Sequence, residues 1–401
     1  MTLPVDRYDH LLSLVDDTAM FEHSLYEIPR RDHGYTVDDA ARALVVLCDA
    51  PPQADLHCAI GVLLSFVIHA MRPDGRFHNR LGHDRRWRDV VGPDDTHGRA
   101  IWALGAAAVR APRPEWQDAG RSALEAARVP DSSHLRPHAY AALGACAVWR
   151  RRPDDEKAAA IIERAAAQFE RVPRPWPESR LSYANGRLPD AMLAIGEVLG
   201  RHTLIEQGLE ALAWLEDVET QGDHYSFTPV GGWEPGEPRP GFDQQPIEAA
   251  ALSSAAERAW SLTGDRRWHD AVLRAGLWLT GHNDAGAVLY DSATGACRDG
   301  LTPNAANENR GAESTLAGLA VLQACRRIGM ARPDMERALI SHGGDQVPWQ
   351  ATLGLSMTSQ ERHSEGRRTT AQSGTASRTR TPRGAFLAGR TAQRLPVGVL
   401  G

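Results

Sequence analysis

Lysine is almost missing from this chain. Of its 45 basic side chains only Lys157 is a lysine, and against 51 acidic residues the formal net charge is −6. That balance argues against a nucleic-acid partner, which calls for an excess of cations on one face. No run of about eighteen apolar residues occurs, so no membrane span is expected. The opening "MTLPVDRYDH" lacks the order of a secretory leader, and the chain is expected in the cytoplasm. Its five cysteines are odd in number, scattered and without a C-x-x-C, which excludes a disulfide frame and a cysteine zinc site. Paired-histidine helix spacing, a G-x-x-x-x-G-K-[ST] loop and G-x-G-x-x-G are also missing, so no metal and no cofactor is expected. Ser65 in "GVLLSF" has no strand-turn-helix context for a hydrolase elbow.

What the chain does have is helical periodicity, with almost no strand signal over residues 1–340. Six segments rich in alanine and glycine, from "TVDDAARALVVLCDA" to "AESTLAGLAVLQACRRIG", alternate with six that carry one charged face, from "DRYDHLLSLVDDTAMFEHS" to "DRRWHDAVLRAGLWLTG". Small residues all round suit a crowded inner ring, and one wet stripe suits an outer ring. The expected fold is all-α, a closed (α/α)6 toroid of six helical hairpins, over residues 1–340. An open solenoid would show the same period, but six hairpins without polar caps favour closure. Residues 341–401, with eight arginines against three acids, form a low-complexity tail expected to lack a fold.

In such a ring the loops preceding all six inner helices open on one face. Those loops are long and polar, whereas the returning connections are short, and long loops gathered on a rigid scaffold are where function collects. Two carboxyl groups are what glycosidic cleavage requires, one protonated to assist the leaving oxygen and one ionised to activate water or attack carbon. Glu178, in the proline-bounded loop beside Trp176, is the expected proton donor, because an apolar wall raises a carboxyl pKa. Asp243, Asp38, Asp39 and Asp95 are the candidate bases. Helix capping is the competing role for Asp38, Asp39 and Asp95, which stand at helix starts. Inversion is the default outcome, with room for a water between the carboxylates.

Around these acids the candidate substrate-binding residues are Tyr35, Arg42, His97, Arg99, Trp176, Tyr183, Asn185, Arg187, Gln244, Gln245, Glu248, Asn309 and Glu313. Amide and acid forks match pairs of sugar hydroxyls, and aromatics, with Trp87, Trp233 and Phe227 added to those named, stack on sugar faces. A helix starting near Thr36 is expected to bring Tyr35, Asp38, Asp39 and Arg42 onto one face, with Arg42 paired to one aspartate and the other free for ligand. An isomerase of the sugar 2-epimerase type would instead use a histidine base, from His33, His97, His134 or His138. A third reading is a non-catalytic glycan-binding domain that partners a glycosyltransferase.

Five segments in combination, "DHGYTVDDAARAL", "DTHGRAIWALG", "WPESRLSYANGRLPDAML", "FTPVGGW…FDQQPIEAAA" and "YDSATGACRDGLTPNAANENRGAESTLAGL", resemble a bacterial family of helical toroid proteins associated with glycan metabolism. The resemblance covers roughly residues 5 to 330. It implies the fold of inverting glycosidases, unsaturated-uronide hydrolases and sugar 2-epimerases, a carbohydrate substrate, and association or fusion with a glycosyltransferase. Ala184 stands where many such relatives carry an acidic residue, and the tail replaces the continuation after residue 340.

Overall fold

A computed structural model describes residues 3–330 of the chain. The tail 341–401 and the boundary at 340 lie outside them. In chain order the helices are α1 (Asp9–Ser13), α2 (Val37–Cys48), α3 (Ala54–His69), α4 (Asp94–Arg110), α5 (Pro114–Ala126), α6 (Leu135–Arg151), α7 (Glu156–Phe169), α8 (Arg187–Leu199), α9 (His202–Glu219), α10 (Pro246–Thr263), α11 (Arg266–Leu279) and α12 (Ala312–Met330). The even-numbered helices pack in sequence, α2 on α4 and so on to α12, and α12 returns to α2, which closes the ring. The odd-numbered helices pack outside them. Among the described residues the fold is therefore the all-α (α/α)6 toroid.

Local chemistry fixes these elements. Thr36 caps α2 by accepting the Asp39 amide, Asp155 and Asp265 cap α7 and α11, and prolines open α5 and α10. The inner helices approach closely because their contact residues are small. A Cβ on Gly105 of α4 would stand 2.4 Å from the Gly144 carbonyl oxygen of α6, so only glycine permits this spacing.

One expected helix is mostly absent. The segment read as a full outer helix from Asp6 to Ser24 is helical only over α1. Asp16 Oδ1 accepts from the amides of Thr18 at 2.8 Å and Ala19 at 3.2 Å, and this side-chain turn folds the strand back so that Val15 pairs with Met20.

Strand among the described residues is confined to four two-residue antiparallel pairs and isolated bridges, and several of these tie the loops of the inner-helix starts together. Tyr35–Thr36, entering α2, pairs with Arg80–Leu81 in the loop before α4. Leu181 bridges Trp233, joining the loops before α8 and α10, and Gln244 bridges Leu301, joining those before α10 and α12. Five of the six polar loops are thereby tied to a neighbour.

Candidate functional site

Near the starts of the inner helices a belt of ion pairs and hydrogen bonds runs from α12 through α2, α4, α6 and α8 to α10. On α2, Asp38 meets the Arg99 guanidinium of α4 at 3.0 Å, and its other oxygen accepts from Asn79 Nδ2 at 3.1 Å. Arg42, one turn further along α2, binds Asp39 at 2.8 Å and Glu313 of α12 at 2.7 Å. Arg99 also meets Asp95 at 3.4 Å and lies over the Tyr140 ring of α6. Asp95 accepts from the Tyr183 hydroxyl. Arg136 of α6 donates to both oxygens of Glu178 at 2.8 Å, to the Tyr183 carbonyl at 2.6 Å and to Asn185 Oδ1 at 3.1 Å. Asn185 passes the belt to α10, where its backbone and side-chain amides donate to Glu248 at 3.0 and 3.1 Å.

Two cavities open onto this belt. A mouth cavity of about 260 Å³ is lined by Asp38, Asp39, Arg42, Gln245 and Glu313 together with Glu22, Arg80 and Asp299 from the loops. Beneath it a narrower space of about 90 Å³ receives Trp102, Tyr140, Arg187 and Ile247, and it shares Arg42 and Glu313 with the mouth. Every inner helix, or the turn that starts it, reaches one cavity or the other.

The environment divides the adjacent aspartates. Burial works to raise Asp38, but the charges of Arg99 and Arg42 and the Arg99 hydrogen bond outweigh it and hold the carboxyl below its usual range. Asp39 is more deeply buried, and although Arg42 and the Thr36 hydroxyl offset part of the cost, its carboxyl is pushed up to about 6. Burial, reinforced by the charge of Glu219 at the end of α9, pushes Glu248 up to about 8.

Several expected site residues lie elsewhere. Tyr35 precedes the cap Thr36 in extended backbone, so helical spacing does not carry it round with Asp38. It is buried, and its hydroxyl donates to Asp16 at 2.6 Å. Asp38 is bound by Arg99 rather than left free. His97 turns its Nε2 to the Arg128 carbonyl at 2.8 Å, and His138 likewise meets the Ser132 carbonyl. Trp176 stacks on Trp214, and Glu178 finds the Arg136 guanidinium where an apolar wall was expected. Gln244 is wholly buried and its amide is taken up by Phe227, Gly241, Trp278 and Asp284, which leaves no atom for a ligand. Asp243 is exposed. Asn309 Oδ1 accepts the Tyr26 amide at 3.1 Å and anchors the Ser24–Pro29 hairpin. Of the other aromatics, Trp87 packs on His78, Trp233 donates to the Glu237 carbonyl, and Phe227 is buried against Trp278.

Sequence reading missed Arg136, Asn79, Trp102 and Tyr140. Arg136 stands on α6 where Asp38 stands on α2, in the first turn of an inner helix, and that offset was the available signal. Trp102 and Tyr140 were legible as large rings on helices otherwise built of alanine and glycine. Glu22, His23 and His33 bring three ligand-type atoms within 4.8 Å of one another at the mouth, but Glu22 is held by Arg80 through both oxygens at 2.8 and 2.9 Å.

No family model matches this sequence, and no curated protein matches it. Solved structures do share its fold. A sugar epimerase from a ruminal bacterium superposes with a TM-score of 0.62 at 10% identity, over 80% of this chain and 95% of its own. The cellobiose 2-epimerase of Spirochaeta thermophila gives 0.60 at 13% identity, over 81% and 94%. A GH76 alpha-mannanase of Bacteroides thetaiotaomicron gives 0.54 at 11% identity, over 82% and 95%. At such identities the likeness is one of fold.

Proposed function

We propose that this protein is a carbohydrate-active enzyme, a glycoside hydrolase whose reaction runs at the mouth of the toroid. The observation that carries the reading is the pair Asp38 and Asp39. Both line one cavity, one held ionised by two guanidiniums and the other retaining its proton to about pH 6. Two carboxyls driven apart by their surroundings supply a general base and a general acid. In this assignment Asp38, its side chain 20% exposed, activates water. Asp39 gives its proton to the leaving oxygen, the role first read for Glu178. Glu313 and Gln245 offer hydrogen bonds to sugar hydroxyls, and the Trp102 and Tyr140 rings, stacked on each other at 5.7 Å, add apolar edges to the space below.

The named activities of the similar folds, sugar epimerases and a mannanase, agree with a sugar substrate, and mannosides are the first class to try. The test is a screen of oligosaccharides for released reducing ends, with the product anomer followed by proton NMR; inversion is expected. Binding without turnover of any sugar would favour the glycan-binding domain and a glycosyltransferase partner.

A second reading, a sugar 2-epimerase-type isomerase, rests on His23 and His33, which meet edge to face at 4.7 Å beside the mouth. Incubation of reducing sugars in deuterated water separates the two, since only the isomerase exchanges the proton at C2.

A further inference from the structure

Most cations of the belt have carboxylates of their own. Arg42 has Asp39 and Glu313, Arg99 has Asp38 and Asp95, and Arg136 has both oxygens of Glu178. Arg187, at the start of α8, differs. Its Nη1 lies 3.2 Å from Asp190 Oδ2, while the other oxygen of Asp190 is bound by Arg258 Nε at 2.6 Å, so two guanidiniums share one carboxylate. Among the described residues Nε and Nη2 of Arg187 have no hydrogen-bond partner, and the side chain lines the inner cavity. The residue is only 8% exposed, and its guanidinium lies over the Trp102 ring, 4.8 Å from the centroid.

A buried cation with unused donors is costly unless a ligand completes it. The indole beneath fixes the guanidinium plane, and a planar fork presents parallel N–H groups to a carboxylate or phosphate. Arg42 and Glu313, paired at 2.7 Å, line both the space it faces and the mouth cavity that holds the acid pair. A saccharide that occupies both spaces would meet the acid pair at one end and Arg187 at the other.

We infer that the substrate is an acidic sugar, a uronic acid or a sugar phosphate, whose anionic group is bound by Arg187 in the bore. The inference rests on the carbohydrate reading above and names the substrate class for the same site. Arg187 is here a binding residue and takes no part in proton transfer.

Isothermal titration tests it with glucuronate, mannuronate and mannose 6-phosphate against glucose and mannose, on the wild type, Arg187→Lys and Arg187→Met. Asp190 keeps Arg258 in both variants, so both should fold, which circular dichroism checks. An acid is expected to bind about tenfold or more tightly than its neutral parent. That advantage should vanish in Arg187→Met, survive in part in Arg187→Lys and shrink with added salt. Whether uronate or phosphate gains it identifies the anion. Neutral sugars that bind as well as every acid, or an advantage that survives Arg187→Met, would overturn the inference and leave the carbohydrate reading standing. If no sugar, neutral or acidic, is bound or changed, the carbohydrate reading itself falls.

Discussion

Two neighbouring aspartates on one helical turn sit about a hundred degrees apart, and here that rotation decides their chemistry. Asp38 faces α4 and meets Arg99 and Asn79, whereas Asp39 faces Thr36 and Arg42. The cap and the buried pair give Asp39 a structural role alongside the proposed catalytic one, so its replacement confounds fold and activity. Arg42 is the cleaner test of the structural part. Arg42→Ala leaves Asp39 unpaired in a buried site and is expected to cost about 3 kcal/mol, the low end for breaking a buried pair, because Glu313 is 37% exposed and regains water. Denaturant melts measure this, and a loss well under about 1 kcal/mol would mean the pair is solvated.

At the scale of elements the inner ring depends on backbone contact. α4 and α6 approach closely where Gly105 crosses Gly144, and an added methyl there meets backbone and cannot be relieved by a rotamer change. Gly105→Ala is therefore expected to destabilise by about 1–3 kcal/mol or more. It should also impair the site, because α4 and α6 carry Arg99, Tyr140 and Arg136. Thermal melts and sugar binding by the same variant check both effects; a variant as stable as the wild type would show that the helices can separate.

The inner helices were legible because alanine and glycine around a whole circumference have few other uses, and the ring followed from their number. The outer helix at α1 was not, since the apolar run Leu11, Leu12, Leu14 and Val15 keeps helical spacing while the turn after it depends on Asp16. Residue types in the site were legible too, but not partners. Nothing in sequence separates an Asp38 that pairs with Arg99, sixty-one residues away, from one that pairs with Arg42. Gln244 was read as a ligand group because an amide beside a proline-started helix looks the same whether it faces a sugar or the Phe227 amide.

For the whole molecule, three carboxyl groups lie above their ordinary values: Asp39 at about 6, Glu219 at about 7 and Glu248 at about 8, each mainly through burial. Their protons are bound more tightly in the folded state, so their contribution is complete below about pH 4 and is lost as pH rises through about 6 to 8. Asp38, held low, acts oppositely and loses its contribution as acid protonates it. The buried His10, His97 and His138, whose pKa values burial lowers, likewise lose their contribution in acid, so the thermal midpoint should be highest near about pH 6.5 and a few degrees lower at about pH 8.5. Glu248→Gln, which removes one of the three groups, should flatten that slope. A midpoint that holds or rises over this range would contradict the burial of these acids in the folded ring. Among the described residues no helix is long and apolar enough to cross a membrane.

In the proposed reaction the carboxyl pair of α2 runs sugar chemistry at the mouth of the ring. Its most direct test is turnover of the best saccharide from the oligosaccharide screen by wild type and Asp38→Asn, each first shown to melt alike. The variant is expected to keep the fold and most of its sugar affinity while turnover falls about a hundredfold or more, the loss typical when a general base is removed. An Asp38→Asn protein that folds normally and turns over the sugar at the wild-type rate would contradict it.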